Sequence, residues 1–294
     1  MKLEFWGVRG TAPAPGTAWG RYGGHTTCSS VRVGPGQYIV IDAGTGLREL
    51  GDWIMAEEGD GDIRIDLLLT HFHLDHIMGF PVFAPLFSSR TSLVVHSPAG
   101  AGLPSPGPAG FASTARGGGK TGAGEAERAL AGLMAYPYFP LGLGRTAARK
   151  EFREFAPGPF TGGIRISACP LRHPQGSVAY RLDADATSIV LATDTEHPEA
   201  GIDERLAAFA RGVEYLVYDA MFTPTEYESG KKGWGHSTWL AGTALAAGAG
   251  AGQLVLSHFN PAHTDAAVDL ILGEARGRFP ATLAAAQGLK LGKE

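Results

Sequence analysis

The sequence contains few cysteines and no long apolar run. Only Cys28 and Cys169 occur among its 294 residues, so we expect no disulfide framework and two small buried thiols. No apolar stretch approaches the roughly 20 residues needed to cross a bilayer, and the N-terminus lacks the apolar core of a signal peptide. These absences predict a cytoplasmic protein that has no membrane-spanning segment.

The sequence also lacks a large excess of charge of either sign. Its formal net charge is -4 at pH 7, and 18% of its residues are charged while 44% are hydrophobic. This composition is typical of a globular protein that buries a substantial core. Because the chain is mildly acidic as a whole, it shows no overall electrostatic footprint for nucleic acid or an anionic membrane. The net charge therefore argues against nucleic acid as the partner.

Histidine, by contrast, is concentrated in one short segment. Four ligand-type residues occupy four of six successive positions: His71, His73, Asp75 and His76. They follow the apolar, strand-like stretch 65–69, and imidazole nitrogen and carboxylate oxygen are the ligands that zinc and similar divalent metals favour. A sharp turn at the strand end would let the first two histidines face one ion and the other two residues face a second. The segment predicts a site for two metal ions.

Other predicted strands also end in residues able to bind metal. His173 follows the apolar run 163–169, Asp194 follows 187–193, and His258 follows 252–257. Irregular positions at strand ends are where rigid scaffolds present functional side chains. Each residue alone could equally be ordinary loop polarity. Only their joint occurrence makes them candidate ligands.

Hydrophobic periodicity predicts an α/β fold in which two sheets are covered by helices, a four-layer αββα sandwich. Strand-like runs occur at 2–6, 37–42, 64–70, 92–96, 163–169, 177–182, 187–193, 214–219 and 252–257. Helical patterns occur at 46–57, 79–87, 124–134, 202–210, 237–248 and 264–277. We expect residues 1–294 to form a single domain.

One stretch interrupts this pattern. Residues 97–123 are rich in glycine, proline, alanine and serine, and the aromatic cluster Tyr-Pro-Tyr-Phe-Pro follows at 136–140. We interpret 97–150 as an excursion from the sandwich, because a loop this long inside a compact domain is usually functional or mobile. Tyr138 and Phe139 are candidates to stack on a base, although packing onto the core or onto a second subunit would explain them equally well.

The order of the candidate ligands resembles that of the metallo-β-lactamase superfamily, whose fold is an αββα sandwich with a metal site at one edge of its sheets. The resemblance implies two divalent ions, zinc first and manganese as an alternative. His71, His73 and His173 would hold one ion and Asp75, His76 and His258 the other, with Asp194 bridging and Asp42 supporting the site from outside the ligand shell. Neither cysteine lies between 173 and 258. A role in antibiotic hydrolysis is therefore not expected.

The segments 217–222 and 233–238 are similar to the phosphodiesterase branch of that superfamily. This branch includes tRNase Z, cyclic-phosphate diesterases and cyclic-nucleotide phosphodiesterases such as the anti-Pycsar enzymes. By this resemblance His236 is not a ligand but faces the scissile phosphate, and Asp219 orients it. The segments 7–11 and 22–26 favour the cyclic-nucleotide group, although His25 stands where that group has asparagine.

The expected function is hydrolysis of 3′,5′-cyclic nucleotides by a water that two metal ions acidify to hydroxide, with His236 as general acid. Similar enzymes are homodimers, so a dimer is the expected state. Two alternatives in the same class are an RNA 3′-processing nuclease of the tRNase Z type and another small phosphodiester or ester hydrolase. Residues 97–150 carry six Lys or Arg against two Glu, which suits an RNA-gripping arm. A protein that binds metal or nucleotide without hydrolysis is the alternative from a different class.

Overall fold

The computed structural model describes residues 1–98, 122–184 and 187–292. Within these ranges the strands form two mixed sheets of seven strands each. The first sheet contains β1 (Lys2–Gly7), β2 (Cys28–Gly34), β3 (Gln37–Ile41), β4 (Ile63–Leu68), β5 (Thr91–Ser97), β6 (Arg149–Glu154) and β14 (Lys290–Gly292). Its strand order is β14-β1-β2-β3-β4-β5-β6.

The second sheet is built from the C-terminal half of the chain. It contains β7 (Gly158–Pro159), β8 (Arg165–Leu171), β9 (Ser177–Ala184), β10 (Thr187–Ala192), β11 (Tyr215–Asp219), β12 (Gln253–Ser257) and β13 (Thr282–Ala284). Its strand order is β13-β12-β11-β10-β9-β8-β7. All nine strands that the apolar runs predict are present.

The two sheets share one pattern of strand directions. From β14 to β3 neighbouring strands are antiparallel, and from β3 to β6 they are parallel. Likewise, strands are antiparallel from β7 to β10 and parallel from β10 to β13. The sequence shows no repeat that would have predicted this correspondence. Because of this correspondence, the carboxyl ends of β3 and β10 lie at equivalent positions in their sheets.

Helices cover the outer faces of both sheets. The helices are α1 (Gly46–Glu58), α2 (Leu74–Ile77), α3 (Gly122–Leu133), α4 (Glu204–Phe209), α5 (Pro224–Glu228), α6 (Trp239–Ala249) and α7 (Asp265–Arg276). Helices α1 and α3 pack on the first sheet, whereas α4, α6 and α7 pack on the second. The expected αββα sandwich is therefore confirmed.

Strand β3 shows how the sequence specifies these layers. Its residues alternate between two faces because successive side chains of a strand point in opposite directions. Ile39 and Ile41 belong to the core shared with the second sheet, whereas Tyr38 and Val40 belong to the core beneath α1. A strand buried on both faces in this way is a nearly continuous apolar run, as expected next to parallel neighbours.

The expected α-helix at 79–87 is wrong. Two short 3-10 turns, Phe80–Val82 and Ala84–Phe87, occupy this segment. Pro81 and Pro85 each lie at the start of a turn, and proline lacks the N–H that a continuous helix needs.

The excursion is shorter than the sequence suggests. Helix α3 packs on β5 and β6, and its Ala126 and Leu130 are buried in the core of the first sheet. Residues 122–150 therefore belong to the outer layer and to an edge strand, which corrects the interpretation of the whole of 97–150 as an excursion. Residues 99–121 lie outside the described part of the chain. Among the described helices, none has both the length and the apolar character required for crossing a membrane.

Candidate metal centre

Strand ends of both sheets deliver the candidate ligands to one place. The turn after β4 carries His71 and His73, and the short helix α2 carries the next two ligand-type residues. The remaining three follow β8, β10 and β12. All seven lie in two adjoining groups: His71, His73 and His173, then Asp75, His76, Asp194 and His258. The structure thus brings together every residue predicted to bind metal.

Imidazole nitrogens converge in the first group. The His173 Nε2 lies 3.0 Å from the His73 Nδ1, and the ligand atoms of all three histidines lie within 4.8 Å of one another. Burial lowers the pKa of His173 to about 4 and holds the pKa of His71 well below its usual value. Low pKa values keep these rings neutral at pH 7, the form in which imidazole binds a metal.

Two histidines of the second group face two carboxylates. The Nε2 atoms of His76 and His258 are 3.3 Å apart, and they lie 3.5 and 3.4 Å from the Asp75 Oδ2. Two imidazole nitrogens that lie this close to each other and to buried carboxylates form a donor set that suits a cation.

Asp194 lies between the two groups and faces both. Its Oδ1 is 3.8 Å from the Nε2 of His71 and 3.8 Å from the Nε2 of His173. Its Oδ2 is 3.1 Å from the Nε2 of His76 and 3.2 Å from that of His258. This division of the two oxygens is the arrangement that a bridging carboxylate requires.

The donor set fits divalent cations on two further grounds. The Nε2 of His71 is buried and has no hydrogen-bond partner among the described residues, although buried polar atoms are normally paired. Burial disfavours a charged His76, but the nearby carboxylates, Asp194 first, outweigh burial and raise its pKa well above the usual value. The second group therefore carries an excess of negative charge that a cation would neutralise.

Residues outside the ligand set orient the histidines. The His76 Nδ1 lies 2.8 Å from the Oδ2 of Asp42, which is the supporting role expected for this aspartate. The His173 Nδ1 donates to the carbonyl oxygen of Gly235 at 2.7 Å, so the Nε2 of this ring faces the centre. Such bonds fix which ring nitrogen is available to the metal.

Three residues of the centre have left-handed backbones. Asp42, Asp194 and His258 have φ values of 59°, 57° and 59°, and each follows a strand by one or two residues. Residues other than glycine rarely adopt positive φ, and such conformations concentrate at functional sites. The two aspartates occupy the equivalent places after β3 and β10. These left-handed residues turn the chain directly after β3, β10 and β12.

His236 lies beside the centre and pairs with Asp219. The His236 Nδ1 is 2.9 Å from the Asp219 Oδ2, so its Nε2 is left for a substrate. Burial disfavours a charged ring, but the Asp219 carboxylate outweighs burial and raises the pKa of His236 to about 9 before any cation binds. Asp219 also accepts hydrogen bonds from the backbone N–H groups of Asp194, Met221 and Ser237. It therefore supports the bridging ligand as well as His236.

The family model of the β-lactamase superfamily domain matches residues 37–259 of this chain, a range that contains all seven candidate ligands and His236. The chain belongs to the metallo-β-lactamase superfamily.

Relatives within the superfamily indicate the branch. A ribonuclease Z of Bradyrhizobium sp. (strain ORS 278) is 29% identical over 295 aligned positions, which cover 84% of this chain and 87% of that protein. A ribonuclease Z of Mycobacterium avium (strain 104) is 30% identical over 241 positions, 79% of each protein. The metallo-β-lactamase fold protein YhfI from Bacillus subtilis has a TM-score of 0.66 at 20% identity, over 99% of both chains. This metallo-β-lactamase protein is a metal-dependent phosphodiester hydrolase.

Glu196 is a residue of the site that the sequence did not single out. Its Oε1 accepts hydrogen bonds from the Tyr227 hydroxyl (2.7 Å) and the Gly233 N–H (2.6 Å), and its Oε2 accepts from the Gly235 N–H (3.0 Å). The loop fixed in this way carries the carbonyl that orients His173 and leads directly into His236. The only sequence signal is an acidic residue two positions after Asp194.

We expect Glu196→Gln to lower kcat by roughly 10- to 100-fold, because an amide nitrogen cannot accept the bond from the Gly235 N–H and small misplacements of reacting groups are costly. Steady-state kinetics on protein with a verified metal content measures this effect. Glu199→Gln, a change at a nearby glutamate that makes none of these bonds, is the matched control. Wild-type kcat in Glu196→Gln would contradict the positioning role.

Glycine is required where the backbone passes close to two ligands. A Cβ added to Gly10 would overlap the His258 ring, and one added to Gly235 would overlap Pro174 and lie 2.5 Å from the His173 Nδ1. Gly235 also has a positive φ of 83°. The glycines in these two motifs thus allow the loops to lie directly against the ligands.

The other histidines have partners outside the two ligand groups. His25 lies 3.0 Å from both Thr45 Oγ1 and Glu49 Oε1, and His96 lies 2.8 Å from Asp66. The remaining two pair with Ser237 and Glu226: His197 and His263.

Among the described residues, no ring contact or hydrogen bond joins the aromatic side chains at 136–140 to the centre. Tyr136 and Tyr138 are 93% and 81% exposed, whereas Phe139 packs against the core of the first sheet. Substrate binding by Tyr138 and Phe139 stays a prediction.

Proposed function

We propose that this protein hydrolyses phosphodiesters of RNA near the 3′ end, at a centre of two divalent cations. The observation that carries the phosphodiesterase chemistry is the His236–Asp219 pair beside a carboxylate that divides its oxygens between two ligand groups. Support for an RNA substrate comes from the ribonuclease Z relatives, which match along most of the chain.

We propose that the seven residues named above hold two zinc ions, with manganese as the alternative, because histidine-rich sets that include carboxylates suit both metals. Ions bound there would act as Lewis acids that lower the pKa of a water and neutralise charge on phosphoryl oxygens. The Asp194 carboxylate would supply one oxygen to each ligand group.

His236 would protonate the leaving group. Asp219 accepts a hydrogen bond from the Nδ1–H and favours the charged ring, so the Nε2 carries the proton that a departing ribose oxygen needs. An alkoxide is a poor leaving group, and general acid catalysis is most useful for such a group. This role suits both RNA and cyclic nucleotides as substrates.

Hydrolysis of 3′,5′-cyclic nucleotides by a homodimer is the second candidate. The net charge of -4 favours it, because a long polyanion gains little from a mildly acidic protein. In the segment 122–150, the Lys150 Nζ donates to the carbonyl oxygens of Thr146 and Ala148, so this ammonium lies against the backbone rather than extending toward a polyanion. The exposed rings of Tyr136 and Tyr138 would then be free to meet a base or a second subunit.

A substrate panel tests the proposal. Zinc- or manganese-loaded protein is assayed with a tRNA precursor that has a 3′ trailer, with cyclic AMP and cyclic GMP, and with bis(p-nitrophenyl) phosphate. The proposal predicts turnover of the precursor, a KM that rises steeply with salt because RNA releases counterions, and turnover of the simple diester. Hydrolysis of cyclic nucleotides with no cleavage of the precursor would make the second candidate the function. Inactivity on every diester would contradict both.

A further inference from the structure

The loop that leads into His236 presents an exposed aromatic ring next to the centre. Trp234 is 56% exposed, although large apolar side chains are usually covered. The Glu196 carboxylate accepts hydrogen bonds from the backbone N–H groups on both sides of it, at Gly233 and Gly235. The backbone that carries the exposed indole is therefore fixed on both sides. An exposed aromatic ring on a fixed backbone loses little entropy when a ligand stacks on it.

A lysine ammonium contacts this ring and also lies near Phe222, a ring next to His236. The Lys231 Nζ is 3.7 Å from the centroid of the Trp234 ring and 5.9 Å from that of Phe222. The Phe222 ring is in turn 6.0 Å from the His236 ring, edge to face. The buried Phe222 ring thus lies between the proposed general acid and the lysine that contacts the exposed indole.

The charge of Lys231 is not neutralised by a carboxylate. The neighbouring Lys232 pairs with Glu228 at 2.7 Å, but no ion pair joins Lys231 to an acidic side chain in the ranges that the structure describes. Its ammonium lies instead over the Trp234 ring. A cation that is held in place but not paired is free to attract an anionic group of a ligand.

We propose that Trp234 and Lys231 form a binding site for the nucleoside that flanks the scissile phosphate. The base stacks on the part of the indole that Lys231 leaves uncovered, and the ammonium attracts a phosphate of the same substrate. Stacking is tolerant of sequence because every base has a π-face. The ligand chemistry is a nucleoside phosphate, from either an RNA 3′ end or a cyclic mononucleotide. This inference rests on the proposed function for the position of the phosphate.

Binding tests the site independently of turnover. Calorimetry on the zinc-loaded full chain measures the Kd of adenosine 5′-monophosphate and of a 12-nucleotide RNA for wild type, Trp234→Ala and Trp234→Phe. Leu270→Ala, at an exposed apolar side chain of α7, is the matched control. We expect Trp234→Ala to weaken binding by about tenfold or more and Trp234→Phe to restore most of it, because stacking needs a flat ring rather than indole itself.

Kinetics adds a readout that mere stabilisation of the loop would not change. Thymidine 5′-(p-nitrophenyl phosphate) and methyl p-nitrophenyl phosphate release the same leaving group, but only the first carries a base. In Trp234→Ala the ratio of their kcat/KM values should fall by about tenfold. In Lys231→Ala the slope of the logarithm of the RNA-binding constant against the logarithm of the salt concentration should become shallower by about one. If Trp234→Ala weakens the binding of the RNA more than that of the mononucleotide, RNA is the source of the ligand. If it weakens both equally, the mononucleotide is the source.

Unchanged Kd values in Trp234→Ala, or losses equal to those of Leu270→Ala, would overturn the binding site. An unchanged ratio of kcat/KM values, with both substrates equally impaired, would overturn it as well by showing a structural role for the indole. If the wild-type protein hydrolyses no diester but Trp234→Ala still binds the nucleotide more weakly than the wild type does, the result would support the site and contradict the proposed function instead.

Discussion

Replacing His236 with alanine should lower kcat by roughly 10²–10⁴-fold for a diester that releases an alkoxide, the usual range for losing one proton-transfer group. The metal content and the fold should stay intact, because the His236 ring pairs with Asp219 and is not needed to complete either ligand group. Single-turnover rates with a ribose leaving group, measured on protein of known metal content, check the prediction.

The leaving group provides the control. A p-nitrophenolate leaves with little need of a proton, so the loss in His236→Ala should shrink markedly for a p-nitrophenyl ester. His73→Ala should show no such rescue, because it removes a ligand rather than an acid. Asp219→Asn is not a clean test of the same role, because Asp219 also accepts a hydrogen bond from the backbone N–H of Asp194. Metal loss in His236→Ala, or equal damage with both leaving groups, would refute the general-acid role.

Most of the ligand set was predictable because of how strands end. Each of His173, Asp194 and His258 follows an apolar run, and parallel strands bring their carboxyl ends to one edge of a sheet. The sequence shows the apolar runs, and the structure shows the strand directions that make the three residues converge. The resemblance of the whole pattern to one superfamily then assigned the ligands to two groups.

Other features depend on contacts that no local pattern shows. Glu196 meets Gly233 and Gly235 across nearly 40 residues of chain, and an isolated glutamate carries no sign of this. The left-handed backbones of Asp42, Asp194 and His258 are imposed by tertiary structure on residues that do not favour them. Strand β6, Arg-Lys-Glu-Phe-Arg-Glu, was missed because an edge strand needs no apolar face.

Replacing Asp194 with alanine should remove both metal ions and abolish diester hydrolysis. One oxygen of Asp194 faces the His71 group and the other faces the His76 group, so the change takes a ligand from both ions at once. It also removes a buried negative charge that balances two cations, and a centre without that charge binds cations weakly. Asp66→Asn is the matched control, since Asp66 is equally buried but pairs with His96 outside the ligand groups.

The metal content of wild type, Asp194→Ala and Asp66→Asn, measured by elemental analysis after identical purification, tests the shared two-ion centre most directly. We predict two ions per chain in wild type and in Asp66→Asn, and neither ion retained in Asp194→Ala, with diesterase activity lost in parallel. Circular dichroism establishes that all three proteins are folded. Full occupancy in folded Asp194→Ala, or a wild-type protein that hydrolyses diesters without metal, would contradict the account.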